Sequence, residues 1–457
     1  MTTLSPIADL ATLRADGIEI VLPGDDGWDA ARQAWQVTFD QRPDAVALPR
    51  TAGDVVRIVE FANATGRRVA AQATGHNAPP LGNLAGTILV RTSNMRGAEI
   101  YPEARIARVN AGAWWEDVVV PAAEHGLSAL HGSSPDVGVM GYVLGGGVGW
   151  QVRKRGLAAN SVTAFELVTP AGQLIRADAE RNAEVFWALR GGGGNFGVVT
   201  AVELELYPMD EVYCGWLIFP WERSSEVLQA WREWTGTVPE EVTSVGRILQ
   251  LPPLEMIPEP LRGRNIVVVE AAILTDEATA VELLAPLRAL GPEMDTFAVT
   301  GPLGLVRLHQ DPEGPTPAMV KGDMFDTLTP EAVETFVAVC GPGSGSPLVS
   351  AEIRHVGGAA GRPHPGGGAL DRLPAEYVSL GIGMPVSPEL AAAIPAHLEH
   401  VHRAMRAAAN GRTYLNFAEE PVDTRTAFDV DTHERLRRLR RRMDPVNRMK
   451  ANHPIPA

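Results

Sequence analysis

Residues 133–149 read Ser-Ser-Pro-Asp-Val-Gly-Val-Met-Gly-Tyr-Val-Leu-Gly-Gly-Gly-Val-Gly, and a second glycine run, Gly-Gly-Gly-Gly-Asn-Phe-Gly, follows at residues 191–197. Glycine lets a backbone approach a phosphate or a ring closely, and the amides can then donate to an anion. Neither run is a P-loop, because no Gly-Lys-Ser/Thr follows. The Ser-Ser-Pro before the first run also argues against a Rossmann turn. Taken alone, each run is either a tight-turn region or a cofactor-binding segment.

The composition narrows the class of protein around these runs. A chain of 457 residues with 45% hydrophobic residues predicts two or three domains with buried cores. No apolar run is long enough to cross a membrane, and the net charge of −15 argues against a general nucleic-acid binder. The two cysteines exclude a disulfide framework and a four-cysteine metal site. The first ten residues show no secretory signal, so we expect a cytoplasmic protein.

Short strand and helix signals alternate in the first half of the chain. A helix with its cap at Thr51 and its end at Gly66 precedes strands at 69–72, 87–91 and 106–110 and a helix at 114–125. Longer strands at 212–219, 243–251 and 265–274, with helices between or after them, predict a second, sheet-rich domain. Six arginines between Arg435 and Arg442 predict a solvated face of a terminal helix.

The order of several motifs is more specific than any one of them. The chain carries Pro-Asp-Ala-Val-Ala-Leu-Pro-Arg at 43–50, Ala-Thr-Gly-His-Asn at 73–77, the run at 133–149, Phe-Trp-Ala-Leu-Arg at 186–190, Tyr-Leu-Asn-Phe at 414–417 and Asp-Pro at 444–445. This series resembles the FAD-linked oxidoreductases of the vanillyl-alcohol oxidase type, and most of all their berberine-bridge-enzyme-like branch. The resemblance implies an α+β flavoprotein with a PCMH-type FAD-binding domain and an antiparallel-sheet substrate domain with helices. We expect these at 1–208 and 209–411, with a segment at 412–457 returning to the first domain.

The resemblance also implies which residues bind FAD. The family's flavin-binding positions fall here on Thr74, Gly75, His76, Asn77, Ser133, Ser134, Val137, Gly138, Gly141, Tyr142, Gly197, Val199, Tyr414 and Asn416. His76 matches the histidine that bonds covalently to the flavin 8α-methyl group. Members with a second covalent link carry a cysteine where this chain has Ser134. A hydroxyl is a far weaker nucleophile than a thiolate, so we expect attachment through His76 only. Cys214 and Cys340 are expected to be small core residues.

Tyr414 is the candidate catalytic base, because relatives use a tyrosine of this motif to deprotonate the substrate. Phe417 replaces the second tyrosine of the motif, which leaves Tyr414 alone in that role. On the strand at 351–358, Glu352 and Arg354 share a face as weak substrate-contact candidates, although surface charges are the favoured interpretation. His397, His400 and His402 do not share a helical face, so no metal site is expected.

These residues predict an FAD-dependent oxidase. We expect two-electron oxidation of a small organic molecule, a secondary metabolite or a sugar, with hydride transfer to flavin N5 and reoxidation by O2. A dehydrogenase that uses another acceptor stays open. So does a flavoprotein with structural FAD that catalyses a non-redox cyclisation. No nucleic acid and no membrane are expected as partners.

Overall fold

A computed structural model of the chain describes residue 10, residues 12–255 and residues 257–457. The first nine residues, on which the expectation of a cytoplasmic protein mainly depends, lie outside the described residues, and that expectation stays a prediction. No helix in the described part of the chain is long and apolar enough to span a membrane.

The N-terminal half contains two sheets. Strands β1–β4 form a four-stranded sheet in the order β1-β2-β4-β3, in which β4 runs parallel to β2 and β3. Strands β5, β6 and β8–β10 form an antiparallel five-stranded sheet in the order β5-β6-β10-β8-β9, while β7 and β11 pair separately. The strands are β1 Glu19–Val21, β2 Ala45–Leu48, β3 Arg68–Gln72, β4 Thr87–Arg91, β5 Ala98–Tyr101, β6 Ile106–Asn110, β7 Leu127–Ser128, β8 Val162–Val168, β9 Leu174–Asp178, β10 Val198–Glu205 and β11 Tyr207–Pro208.

Short helices pack around these sheets. They are Thr12–Ala15, Trp28–Arg32, Ala52–Thr65, Glu116–Ala123, Val139–Leu144, Val152–Arg155 and Ala183–Leu189. Thr51 caps the helix Ala52–Thr65 through a reciprocal capping box with Asp54, and Gly66 ends it with a left-handed backbone. Both ends therefore lie where the sequence predicts them.

The second part of the chain is one large antiparallel sheet covered by helices. It is ordered β15-β12-β14-β13-β18-β19-β17, with β16 also paired to β12. Its strands are β12 Val212–Pro220, β13 Val242–Gln250, β14 Asn265–Ile273, β15 Met294–Asp295, β16 Ala298–Thr300, β17 Met319–Phe325, β18 Ser350–His355 and β19 Tyr377–Gly383. The helices are Ser224–Thr235, Glu277–Arg288, Leu303–Val306, Pro330–Cys340 and Pro388–Met405.

The two faces of this sheet differ. Trp231, Leu284, Phe336 and Ile394, one from each of the four longer helices, bury one face in a common apolar core. The opposite face packs around Trp150 of the N-terminal half. This mixed architecture confirms the predicted α+β fold, with a large antiparallel sheet in the second part of the chain.

The C-terminal segment returns to the N-terminal half. Its helix Val430–Met443 buries Leu436 and Leu439 in the first core, and Met449 forms a parallel bridge with Val69. The prediction that all six arginines of this helix are solvated is wrong for Arg440, which is 1% exposed and bonds to the carbonyl of Asn195. Arg440 therefore ties the returning segment to the second glycine run.

Candidate functional site

A cavity of about 410 Å³ lies between the loops of the N-terminal half and the uncovered face of the large sheet, which is the face that the four longer helices do not cover. Every predicted cofactor-binding residue except Ser134 lines it. The lining set is Thr74, Gly75, His76, Asn77, Ser133, Val137, Gly138, Gly141, Tyr142, Gly197, Val199, Tyr414 and Asn416. From the sheet come Val320, Arg354, Leu380 and Ile382. The cavity therefore has one wall from each part of the chain.

The loop 73–77 is held by the backbone of the preceding segment. The Trp35 amide donates to the Thr74 carbonyl at 2.9 Å, and the Gln36 amide donates to the Gly75 carbonyl at 3.3 Å. Gly75 has φ +87°, and a Cβ there would lie 2.8 Å from the Ala34 Cβ. Glycine is required at this position both by its backbone conformation and by this close approach.

His76 is oriented on three sides. Its ring stacks on Trp35 at 4.0 Å between centroids, and the Thr74 hydroxyl lies 2.8 Å from Nδ1. Nε2 is 3.5 Å from Asp136 Oδ1, longer than an ordinary hydrogen bond. These contacts fix the plane of the imidazole in the cavity wall.

Asp136 anchors the carboxylate side of this arrangement. It accepts from Trp35 Nε1 at 2.6 Å, from the Gly314 amide at 2.7 Å and from the Ser134 hydroxyl at 2.8 Å. Burial raises the pKa of Asp136, but its hydrogen bonds outweigh burial and hold that pKa well below its ordinary value. Ser134 therefore donates to Asp136 and is buried behind the cavity wall. We expected Ser134 to bind the cofactor, but the structure does not place it in the lining of the cavity.

The glycine run at 145–147 and the C-terminal motif fit against each other. Asn416 donates to the Tyr142 carbonyl at 3.0 Å, and a Cβ at Gly145 would lie 1.8 Å from Asn416 Oδ1. The Gly147 amide donates to the Tyr414 hydroxyl at 2.8 Å. The motif at 414–417 therefore reaches the cavity only because these glycines leave room for it.

Tyr414 is 4% exposed, and its hydroxyl accepts from Gly147 and from Asn416 Nδ2 at 3.2 Å. Burial raises the pKa of Tyr414 above its ordinary value despite these bonds. The two hydrogen bonds to its oxygen oppose the effect of burial, and the catalytic role of Tyr414 stays a prediction.

The residues present fit a flavin dinucleotide. Buried polar atoms of Gln72, Asn77 and Tyr142 line the cavity without a hydrogen-bond partner in the described chain. Such atoms are costly unless a ligand or water satisfies them. Together with the glycine-rich backbone on both sides, they match a ligand with rings, hydroxyls and phosphates.

Three acidic or basic residues of the site carried no decisive signal in the sequence. Asp311 and Glu419 also line the cavity, and Arg354 does so with only 13% of its side chain exposed. The interpretation of Glu352 and Arg354 as surface charges is wrong, because the Glu352 side chain is fully buried. Burial raises the pKa of Glu419 to about 7, although bonds from the Val320 amide and Gln36 oppose that shift.

The cysteines and the histidine cluster lie away from this cavity. Cys214 and Cys340 are buried in the cores of the large sheet, where burial raises the pKa of each thiol to about 12. Neither lines the cavity. His397 lies 3.0 Å from the carbonyl of Val339, His402 lies 2.8 Å from Asp323, and the described residues contain no group suited to a metal ion.

Comparison with known proteins agrees with this geometry. Residues 43–178 match the FAD-binding domain family. Over 191 residues the chain is 37% identical to (R)-6-hydroxynicotine oxidase of Paenarthrobacter nicotinovorans, covering 42% of each chain. Over 240 residues it is 29% identical to glucooligosaccharide oxidase of Sarocladium strictum, covering 51% of this chain and 48% of the other. The chain thus spans about half the length of these relatives.

Solved structures extend the likeness to the whole fold. BBE-like 1 from Physcomitrella patens aligns with a TM-score of 0.87 at 19% identity, covering 99% of both chains. The 6-hydroxy-D-nicotine oxidase of Arthrobacter nicotinovorans aligns with a TM-score of 0.76 at 25% identity, covering 94% of this chain and 96% of the other. Residues 43–178 of the chain therefore belong to the FAD-binding domain family, and the whole chain has the fold of the BBE-like 1 structure.

Proposed function

We propose that the protein is an FAD-dependent oxidase that oxidises a small organic molecule by two electrons and uses O2 as electron acceptor. The observation that carries the proposal is the cavity, whose walls combine the FAD-type loops with strands β17, β18 and β19. The oxidase names of the two curated relatives support redox chemistry over a non-redox cyclisation. The substrates in their names suggest an alkaloid, which is a secondary metabolite, or a sugar as the substrate class.

Bound FAD supplies the acceptor for a hydride. The chain's own residues then hold the reactants in place and exclude water. Val320, Leu380 and Ile382 form an apolar wall on the side of the large sheet, and Arg354 and Asp311 supply the polar groups on that side. An apolar pocket with few polar groups is typical of a site that orients a small organic ligand.

We further propose that His76 holds the flavin by a single covalent bond. The imidazole is already oriented by Trp35 and Thr74, and a neutral imidazole is a competent nucleophile near neutral pH. Among the described residues, no suitable group for a second link lies nearby, since Ser134 donates to Asp136 and both buried cysteines lie elsewhere.

Acid precipitation tests the covalent link. Wild-type protein and His125→Ala protein, in which an exposed histidine is removed, should keep flavin in the precipitate. His76→Ala protein should release its flavin into the supernatant. Wild-type protein that releases all its flavin contradicts the covalent proposal and leaves the oxidase proposal standing.

Anaerobic mixing tests the oxidase itself. Wild-type protein is mixed with (R)-6-hydroxynicotine and with gluco-, xylo- and chitooligosaccharides, and the visible absorbance of the flavin is followed. Bleaching by one of these compounds, followed by hydrogen peroxide formation when air is admitted, is the expected result. Product formation without bleaching would instead favour the non-redox alternative.

A further inference from the structure

We propose that Asp311 is the proton acceptor of the active site and that it belongs to a buried, charge-balanced cluster on the uncovered face of the large sheet. This inference rests on the proposed oxidase function and deepens it. The other members of the cluster are Arg247, Glu270, His309, Glu352 and Arg354.

The strand register brings four of these charges onto one face. Arg247 of β13 pairs directly with Glu352 of β18, and Val245 of β13 pairs with both Arg354 of β18 and Glu270 of β14. Directly paired residues share a face, and so do residues two apart on one strand. Three neighbouring strands therefore present two guanidinium groups and two carboxylates to the N-terminal half of the molecule.

His309 completes the cluster and lies in the loop that follows the helix Leu303–Val306. Its Nδ1 contacts a carboxylate oxygen of Glu270, and its Nε2 lies 3.1 Å from a carboxylate oxygen of Glu352. Both ring nitrogens can donate to carboxylates only in the imidazolium form. Burial and Arg247 lower the pKa of His309, but the carboxylates around it outweigh them and raise that pKa to about 9.

Asp311 completes the loop and faces the cavity. Its side chain is 29% exposed, it accepts from the Ser133 hydroxyl at 2.8 Å, and Oδ1 lies 3.8 Å from His309 Nε2. Gln310 between them has φ 55°, a left-handed conformation that is unfavourable for a residue with a side chain. Such strain is typical of functional loops, and here it lies between the two residues that join the cluster.

The charges within the cluster balance. Arg247, Arg354 and the imidazolium of His309 face the carboxylates of Glu270, Glu352 and Asp311. The side chains of Glu270 and Glu352 are fully buried. Glu270 contacts Arg247 and His309, and Glu352 contacts these two cations and Arg354. Neither is available to a ligand, which leaves Asp311 as the carboxylate of this cluster that a ligand can reach.

The other acid–base groups of the cavity are less suited to this role. Tyr414 is a phenol whose burial raises its pKa, although the two hydrogen bonds that its hydroxyl accepts oppose that shift. Glu419 accepts from the Val320 amide at 3.0 Å and from Gln36, at the edge strand β17 of the sheet. Asp311 instead lies beside Ser133 of the glycine-rich segment and close to Arg354.

The proposed step is a proton transfer. An O–H or N–H bond of the substrate breaks, its electron pair stays on the oxygen or nitrogen, and the proton forms an O–H bond with the Asp311 carboxylate. Neutralising Asp311 leaves the cluster with one positive charge in excess. That charge offsets the negative charge left on the substrate, and the offset is stronger than in water because Arg247, His309 and Glu352 are buried.

The test compares Asp311→Asn with Asp311→Glu and with Asp16→Asn, which makes the same chemical change at an exposed residue. Each purified holoprotein is mixed anaerobically with (R)-6-hydroxynicotine and with glucooligosaccharides. Asp311→Asn should keep its flavin content but bleach at least about 100-fold more slowly than wild type. Asp311→Glu should recover part of the rate, and Asp16→Asn should match wild type.

Infrared difference spectra of the same mixtures give a second readout. Wild-type protein should show the C=O band of a newly protonated carboxylic acid, and Asp311→Asn protein should lack it. Wild-type bleaching that Asp311→Asn matches in rate overturns the proposed role of Asp311 and leaves the oxidase function standing. If neither compound bleaches the flavin of the wild-type protein, the result counts against the oxidase function for these substrate classes. It then also counts against Asp311 as a proton acceptor for these substrates.

Discussion

The carboxyl group of Glu419 makes a quantitative prediction about stability. Glu419 lies on the returning C-terminal segment, where it accepts from the Val320 amide at 3.0 Å and from Gln36 Nε2 at 3.4 Å. Burial raises its pKa from 4.5 to about 7, against the effect of these two bonds. The folded protein therefore holds the Glu419 proton over a pH range in which the unfolded chain has lost it.

The sign and size of the effect follow from proton linkage. Between pH 4.5 and pH 7 the folded state binds one more proton than the unfolded state at this group. Stability contributed by Glu419 is therefore present below pH 4.5, falls as the pH rises and is lost above about pH 7. The two pKa values differ by about 2.5, which corresponds to about 3 kcal/mol.

Glu419→Gln removes this penalty while keeping the size of the side chain. We expect the variant to gain about 3 kcal/mol over wild type at pH 8 and close to nothing at pH 4.5. The free energy of unfolding is measured by urea titration at about pH 4.5, 5.5, 6.5, 7.5 and 8.5, a series that spans the range between the unfolded and folded pKa values of Glu419. Glu420→Gln is the matched control, because the Glu420 side chain is 72% exposed beside Lys321. A gain for Glu419→Gln that is independent of pH, or that is largest in acid, would refute the reasoning.

Two further predictions concern the wall of the cavity. Asp136→Asn should destabilise the protein by about 2–4 kcal/mol at pH 7, because it weakens charge-assisted bonds to Trp35 and Gly314. Since the folded pKa of Asp136 is lowered, this deficit should shrink as the pH falls below the ordinary value of 3.8, and urea titrations at both ends of that range check it. Gly145→Ala should lower the ratio of bound flavin to protein, because its Cβ would lie 1.8 Å from a side-chain oxygen of the C-terminal motif. Gly53→Ala, whose Cβ would meet only an ordinary contact, is the control, and equal flavin content in the two variants would contradict the close fit of that motif.

Local patterns in the sequence predicted the elements well where capping and alternation act within one segment. The helix that Thr51 caps and the strands at 87–91 and 106–110 are found where they were expected. The helix predicted at 114–125 is shorter, Glu116–Ala123, and Asp117 accepts from the Trp114 amide at its start. A helix cap closes within a few residues and the residue preferences of a strand belong to a single segment, so such elements can be recognised from the sequence alone.

The burial of Glu352 could not be predicted from such local patterns. Alternation placed it on one face of its strand together with Arg354, but alternation does not say which face is buried. Only the pairing of β18 with β13 sets Arg247 beside Glu352, and only the loop of His309 covers both. A charged residue is buried when oppositely charged partners from other parts of the chain contact it, and the sequence of its own segment does not identify those partners.

The sequence by itself determined where the backbone needs glycine, at 133–149 and 191–197. The order of its motifs, through the resemblance to a known family, placed His76 and Tyr414 at the cofactor site, and both line the cavity. The tertiary structure alone decided the acid–base groups on the other wall. Ser133 and Asp311 are 178 residues apart in the chain, yet Ser133 Oγ donates to Asp311 Oδ2 at 2.8 Å. Contacts of that kind depend on how the two parts of the chain pack together, so they are absent from any local pattern.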